Sequence, residues 1–366
     1  MQPEKKRRIL IAPLDWGLGH ATRSIPIIRA CIEGGHDVWI ASSGRSLELL
    51  RKEFPGEKFI DLPSYNIYYQ KKGSFIIKIM AQLGKVFRGI RREHAFTRQL
   101  MRQHQFDLII SDNRYGVHHR NCTSIIITHQ MMIKMPGLRF AEPFVYMWLQ
   151  WQHRRFDRIW IPDVAGSPNI SGDLSHKYRV PGHARFVGLL TRFQKPAEIP
   201  QKEYDLLAII SGPEPQRTIF EDMIIAQAKS LPVKMLIVSG ISEHNTDEMI
   251  TDNIRRIAHC NATELFRHIL VSDIIISRGG YSTLMDIAAL NKKCIFVPTP
   301  GQTEQEYLVN MLQEKGMIYG CGQSSLNLAT AIEKAKSASG FYIDTDLQLF
   351  KKELAEVIAT LPHSKR

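Results

Sequence analysis

Short apolar runs alternate with stretches of helical period along most of this chain. Arg8 to Pro13 reads as a buried strand, followed by the loop Leu14-Asp15-Trp16-Gly17-Leu18-Gly19-His20 and a helix to about Glu33 that Gly34-Gly35 closes. The cycle repeats with a strand at Asp37 to Ala41, a helix at Arg45 to Glu53, and strands at Lys58 to Ile60, Asp107 to Ser111 and Ile125 to Thr128. A helix at Glu142 to Arg155 and a strand at Asp157 to Pro162, read as the last of this half, complete it. The stretch Asp163 to Arg179 is a Gly/Pro/Ser/Asn-rich loop, and Gln194 to Pro200 is the expected hinge. The second half alternates in the same way: strands at Leu206 to Ile210, Val233 to Val238, Ile274 to Ile276 and Cys294 to Val297, with helices to about Lys229, at Thr263 to Leu270, from Ser282, at Ser325 to Ser337 and at Asp346 to Thr360. Such alternation predicts an α/β protein whose parallel sheets are covered on both faces.

Length turns one pattern into two domains. A chain of 366 residues exceeds one ordinary core and suits two units of roughly 150–200 residues. The expected division is 1–193, 201–343, and a C-terminal helix within 344–366 that packs back on the first unit. Composition is that of a globular protein, 44% hydrophobic and 23% charged. The longest apolar run, Phe144 to Leu149, is far too short to span a bilayer, and Ile9 to Leu14 is too short for a signal-peptide core, so a cytoplasmic protein is expected. Five scattered cysteines without a CxxC argue against a disulfide framework and a zinc site.

Charge changes the picture further, because the net +12 is uneven: Met1 to Lys195 carries 31 Lys/Arg against 15 Asp/Glu, and the remainder 17 against 21. The front half therefore faces something anionic. Much of the excess lies on one long helix, Ser74 to Gln103. Its stripe Ile76, Ile79, Met80, Leu83, Val86, Phe87 and Ile90 is apolar. Its polar side, with the residues before it, sets Lys71, Lys72, Lys78, Lys85, Arg88, Arg91, Arg92, Arg98 and Arg102 against the single acid Glu93. That helix either lies on an anionic membrane surface or packs on the core with a solvated basic face. The aromatic run Phe144, Tyr146, Trp148 and Trp151 reads first as core; beside Arg154 and Arg155 it would also suit a membrane edge.

The richest stretch is Ile274 to Asn310. A buried strand breaks at Ser277-Arg278-Gly279-Gly280 and resumes as a helix, which makes an anion site from unpaired N–H groups and the helix dipole. Ser282 or Thr283 caps the helix or bonds a phosphate oxygen, and Asp286 lies one turn on, within reach of ribose hydroxyls. A second strand then leads through Pro298-Thr299-Pro300-Gly301 into Thr303-Glu304-Gln305-Glu306.

Ser277-Arg278-Gly279-Gly280 with Ser282-Thr283, Asp286, Pro300-Gly301 and Gln305 resembles the donor signature of MurG-type glycosyltransferases, of the family 28 C-terminal-domain type and the two-Rossmann (GT-B) fold. Gly17-Leu18-Gly19-His20 resembles the glycine loop of that superfamily's first domain. The resemblance implies a nucleotide-sugar donor, usually a UDP-sugar, in the second domain and an acceptor entering from the first. Arg278 to Thr283 would then lie along base, ribose and phosphates, with Asp286 on the ribose. Gly301, Gln302 and Gln305 would approach the diphosphate and sugar, and Ala262 the uracil ring. Gly212 and Arg217 are phosphate-side candidates, or else a turn glycine and a solvated helix arginine.

Sugar transfer asks for a base near the acceptor hydroxyl, positive surroundings for the leaving diphosphate, and closure against water. His20 is the candidate base, with a loop donor to an acceptor phosphate as its other reading. Asp112 at a strand end could orient it, or serve as a turn cap. Gly17, Gly19, His129 and Gln130 are candidate acceptor contacts. His118-His119 reads as a surface loop. Asp344-Thr345-Asp346 reads as a helix cap, so no metal or cofactor is expected. The expected activity is inverting, metal-independent transfer from a UDP-sugar to a lipid-linked or saccharide acceptor, with a UDP-sugar epimerase or hydrolase and a non-catalytic binding subunit as alternatives. Charge alone would also allow nucleic acid, but no basic-aromatic recognition motif accompanies it.

Overall fold

The structure, a computed structural model, describes residues 6–64, 75–198, 200–241, 246–340, 342–343 and 347–362, with the backbone alone at 75–83. Lys71, Lys72, the side chain of Lys78 and those of Ile76, Ile79, Met80 and Leu83, residue 199 of the expected hinge, and the triplet Asp344 to Asp346 lie outside that description.

In the first unit β1 (Arg8–Pro13), β2 (Asp37–Ser42), β3 (Lys58–Asp61), β4 (Leu108–Asp112), β5 (Thr123–Ile127), β6 (Arg158–Ile161) and β7 (Ala184–Phe186) form one parallel sheet in the order β3-β2-β1-β4-β5-β6-β7. The helices are α1 (Leu18–Glu33), α2 (Gly44–Glu53), α3 (Phe75–His104), α4 (Glu142–His153) and the single turn α5 (Asp173–His176). Residues alternate across each strand, so Ile9 and Ile11 enter one core and Leu10 and Ala12 the opposite one. Both faces are buried, as the unbroken apolar run of β1 requires.

The second unit repeats the plan with β8 (Tyr204–Ile209), β9 (Met235–Val238), β10 (Asp247–Thr251), β11 (Ile254–Ile257), β12 (Ser272–Ser277), β13 (Lys293–Phe296) and β14 (Tyr319–Gly320), ordered β10-β11-β9-β8-β12-β13-β14. Its helices are α6 (Gln216–Ala228), α7 (Ala262–Leu270), α8 (Tyr281–Ala288), α9 (Thr303–Glu314) and α10 (Leu328–Ser337). A final helix, α11 (Gln348–Thr360), crosses back as expected: Phe350, Leu354, Val357 and Ile358 join the core formed by Ile9, Ile25 and Trp160. Arg7 fastens its end by donating to the carbonyls of Leu361 (3.0 Å) and Pro362 (2.9 Å).

The structure departs from several of these expectations. The strand at Asp157 to Pro162 is not the last of its half, since the short β7 pairs beyond it. The antiparallel hairpin β10–β11 was unread, because Asp247–Thr251 is an exposed edge strand with a polar start and lacks an apolar run. Glu93 does not stand on the basic face of α3. It is buried at 1% exposure, its carboxylate accepting from Arg114 Nη1 at 2.6 Å, and so leaves the outward positions Lys85, Arg88, Arg91, Arg92, Arg98 and Arg102 without an acid among them. The aromatic run of α4 is not core either, as Phe144 is 66% and Trp151 51% exposed. His118 and His119 lie in a loop, where the half-buried His118 stacks on His94 (4.5 Å) and meets Phe156 edge-on.

Candidate active site

Each sheet has one point where the chain reverses the direction in which strands are added, and a crevice opens there at the carboxyl ends of the strands. In the first unit the reversal lies between β1 and β4, and Pro13 pairs directly with Asp112 across it. In the second it lies between β8 and β12, where the loops after Ile209 and Ser277 run side by side. Topology alone therefore gathers the glycine loops that the sequence singled out.

On the first side, Gly17 takes a φ of 86° and turns the chain into α1. His20 and Arg23, three residues apart, share one face of α1 and meet Asp112. His20 Nδ1 lies 3.0 Å from Asp112 Oδ1. Arg23 Nε donates to Asp112 Oδ2 at 2.6 Å, and its Nη2 bonds Oδ1. Burial would raise the pKa of Asp112, but Arg23 and His20 outweigh it and hold the carboxyl well below the usual carboxylate range. For His20 burial dominates and lowers the pKa, with Asp112 opposing and Arg23 reinforcing, so the ring is neutral near pH 7. A neutral imidazole held against a carboxylate can take a proton from a hydroxyl.

On the second side α8 begins at Gly280 with no side-chain cap, leaving its first-turn N–H groups and dipole as an anion-favouring end. Gly279 is a packing glycine: a Cβ there would come within 2.3 Å of Val309 Cγ2. Ser277 is buried at the end of β12, whereas Thr283 is half-buried on the first turn of α8. Gln305 accepts from the Thr299 N–H (2.9 Å) and donates to Gln302 (2.6 Å), shaping the loop that carries Gly301. Gly212 has a φ of 117°, and Ala262 opens α7 behind an Asn261–Glu264 capping box.

Three candidates are engaged within the protein. The buried Arg278 donates to the carbonyls of Val297 and Pro298 (both 3.2 Å), to the carbonyl of Gln216 (2.8 Å) and to Gln323 Oε1 (2.7 Å), with its guanidinium over the Phe220 ring. It ties together the loops that build the crevice. Arg217 is buried against Glu214 (2.5 Å) and Glu221 (2.7 Å). Asp286 accepts from Thr191 Oγ1 at 2.7 Å and faces Arg192, so it anchors the segment joining the two units. Burial raises its pKa, with Arg192 and Thr191 opposing.

The two sides meet. Ser282 Oγ donates to the Gly19 carbonyl at 2.8 Å, and a Cβ at Gly19 would sit 2.7 Å from Ser282 Oγ, so a larger residue there would push that hydroxyl aside. His129 stacks on Tyr281 (3.7 Å between centroids) and bonds Glu304 Oε1 at 2.9 Å; Gln130 donates to the other oxygen of Glu304. Arg23, Tyr281 and Glu304 were not singled out from the sequence. Arg23 carried one readable signal, its spacing from His20. Glu304 and Tyr281 carried none, because their partners come from the other unit.

Comparison with known proteins agrees with this architecture. Residues 7–134 match the family glycosyl transferase family 1, and residues 233–361 match the glycosyltransferase family 28 C-terminal domain. An uncharacterized glycosyltransferase of Methanosarcina mazei is 22% identical over 331 residues, covering 84% of each chain. The chain is a glycosyltransferase of the GT-B fold, with similarity to MurG-type enzymes. MurG of Acinetobacter baumannii superposes with a TM-score of 0.58 at 13% identity over 96% of this chain and all of that one. The calicheamicin glycosyltransferase CalG4 gives 0.66 at 12% identity over 98% of this chain and all of its own. A UDP-N-acetylglucosamine–N-acetylmuramyl-(pentapeptide) pyrophosphoryl-undecaprenol N-acetylglucosamine transferase of Natranaerobius thermophilus is 28% identical over 167 residues, 41% of this chain and 44% of its own. In this glycosyltransferase the family 28 match thus spans the uncapped end of α8 and the Gly301 loop, and the family 1 match spans His20, Arg23 and Asp112.

Proposed function

We propose that this glycosyltransferase moves a sugar from a UDP-sugar to a hydroxyl acceptor with inversion, without a metal, and with His20 as general base. The observation that carries the reading is the pairing of neutral His20 with ionised Asp112 at one crevice, facing the uncapped start of α8 through the Ser282–Gly19 contact. The acceptor oxygen attacks the anomeric carbon opposite the leaving diphosphate while His20 removes its proton. Negative charge that grows on the diphosphate is met by the N–H groups of α8 and by the Gly301 loop, and Ser282, Thr283, Gln302 and Gln305 line that side. Arg278 organises these loops from behind. UDP as the nucleotide is supported by the name of the Natranaerobius relative.

The acceptor is a lipid-linked one presented at the cytoplasmic face of a membrane. Support comes from a surface of the first unit: exposed Phe144, Met147 and Trp151 lie within about a turn of Trp148 on α4, and Trp148 packs edge-on against the exposed Phe87 of α3. Arg91 lies one turn from Phe87, and Arg155 stacks over Trp151 at 4.1 Å. Apolar tips ringed by cations suit an anionic interface, where each basic side chain contributes about 1 kcal/mol. Among the described residues no helix is long and apolar enough to cross a membrane.

His20→Ala is expected to lower turnover about 10²–10⁴-fold while UDP still raises the thermal midpoint as in the wild type. Unchanged turnover would remove the base assignment. A panel of nucleotide sugars in the same thermal assay tests the donor, and stabilisation by another nucleotide but not by UDP would overturn it.

A further inference from the structure

The Arg23 guanidinium is 3% exposed and is surrounded by groups from three elements. Nε and Nη2 take the two oxygens of Asp112, Nη2 also lies 2.7 Å from His20 Nδ1, and Nη1 lies 3.2 Å from His129 Nδ1. A guanidinium only donates, so a ring nitrogen that accepts from it carries no hydrogen. For His129 the proton is then on Nε2, where Glu304 Oε1 waits as acceptor at 2.9 Å. Every contact of that ring is satisfied.

His20 is different, because two neighbours of opposite character compete for one nitrogen. Arg23 Nη2 at 2.7 Å asks Nδ1 for a lone pair, and Asp112 Oδ1 at 3.0 Å asks it for a hydrogen. Both cannot be served. The donor is the closer, and Oδ1 already receives Arg23. We propose that Arg23 is a positioning residue that holds resting His20 and His129 as Nε2–H tautomers, and that His20 becomes a base only when the guanidinium releases its Nδ1 to Asp112. The change moves one proton from Nε2 to Nδ1 and alters no charge. It leaves a bare Nε2 on the edge of the ring away from Asp112. This inference rests on the reading of His20 as general base. The other charged or titratable groups around the cluster are Glu304, reached through His129, and Tyr281, and the burial-lowered pKa of His20 keeps the ring neutral so that the choice of tautomer exists.

Long-range proton–nitrogen spectra of the full chain labelled with ¹⁵N-histidine read the tautomers directly, with the two rings assigned from His20→Gln and His129→Gln. The expected wild-type result is a protonated Nε2 and a bare Nδ1 on both. In Arg23→Gln the His20 proton should move to Nδ1, and the acid limb of kcat/KM should rise by about one pH unit or more, since Asp112 is no longer neutralised. A wild-type His20 already protonated at Nδ1 would overturn the proposal, as would an unchanged His20 spectrum in a folded Arg23→Gln. The wild-type spectrum decides even where that variant does not fold. Failure of the base reading itself shows separately, as normal turnover in His20→Ala.

Discussion

His153, at the end of α4, is wholly buried, and burial pushes its pKa down from 6.5 to about 4, with His183 adding to the shift. The folded value lies below the unfolded one, so between those two pH values the unfolded chain binds a proton that the folded chain refuses. Stability should therefore fall as pH falls through that window, by about 1.4 kcal/mol per pH unit for this one group. Urea titrations at a series of pH values test this, and His153→Leu should flatten the slope; an equal slope in the variant would place the acid sensitivity elsewhere. The same physics sets the fate of charge in the crevice. Asp112 stays ionised although buried, because Arg23 lies against both of its oxygens. His20, Asp112 and the glycines of both loops were legible from residue type and position at strand ends. The occupation of Arg278 and Arg217 by protein groups was not, since a buried arginine and a phosphate-binding arginine look alike in one sequence.

At the scale of elements, α3 shows how a stripe is misread by one position. Glu93 falls among basic residues in sequence, yet it turns inward to Arg114, which also bonds the Pro13 carbonyl (2.9 Å) and Ser43 Oγ (3.0 Å). That buried pair supports the loop after β1 that leads to His20. Removing the Glu93 charge leaves buried Arg114 with Asp15, 3.5 Å away, as its remaining acid, so Glu93→Gln should destabilise by about 1–3 kcal/mol, measured by equilibrium unfolding; no measurable loss would show that water reaches Arg114. On the opposite, outward face, Phe144 and Trp151 of α4 should govern attachment to lipid. Phe144→Ser with Trp151→Ser is expected to reduce co-flotation with anionic vesicles while leaving UDP binding intact, and undiminished flotation would move the membrane face elsewhere.

At the scale of the molecule, the links between the two units include α11 docked in the first core, Asp286 bonded to Thr191 in the connecting segment, Glu304 bonded to His129 and Gln130, and Ser282 bonded to Gly19 across the crevice. Phe350, fully buried edge-on to Trp160 at 5.4 Å, anchors the first of these. Phe350→Ala should cost about 3–5 kcal/mol of unfolding free energy, and a two-step transition would show that α11 and its unit had come apart.

The alternation of apolar runs with glycine loops was enough to read two doubly wound sheets and the edge on which their loops collect. Strand burial and strand-to-helix turns are local properties, written in neighbouring residues. Folding alone settled which charges face the crevice and which face inward. Those choices depend on partners from distant parts of the chain: Arg23 with Asp112, Glu304 with His129, Asp286 with Thr191. No period along a single chain records contacts at such separations, because they exist only once the chain has folded.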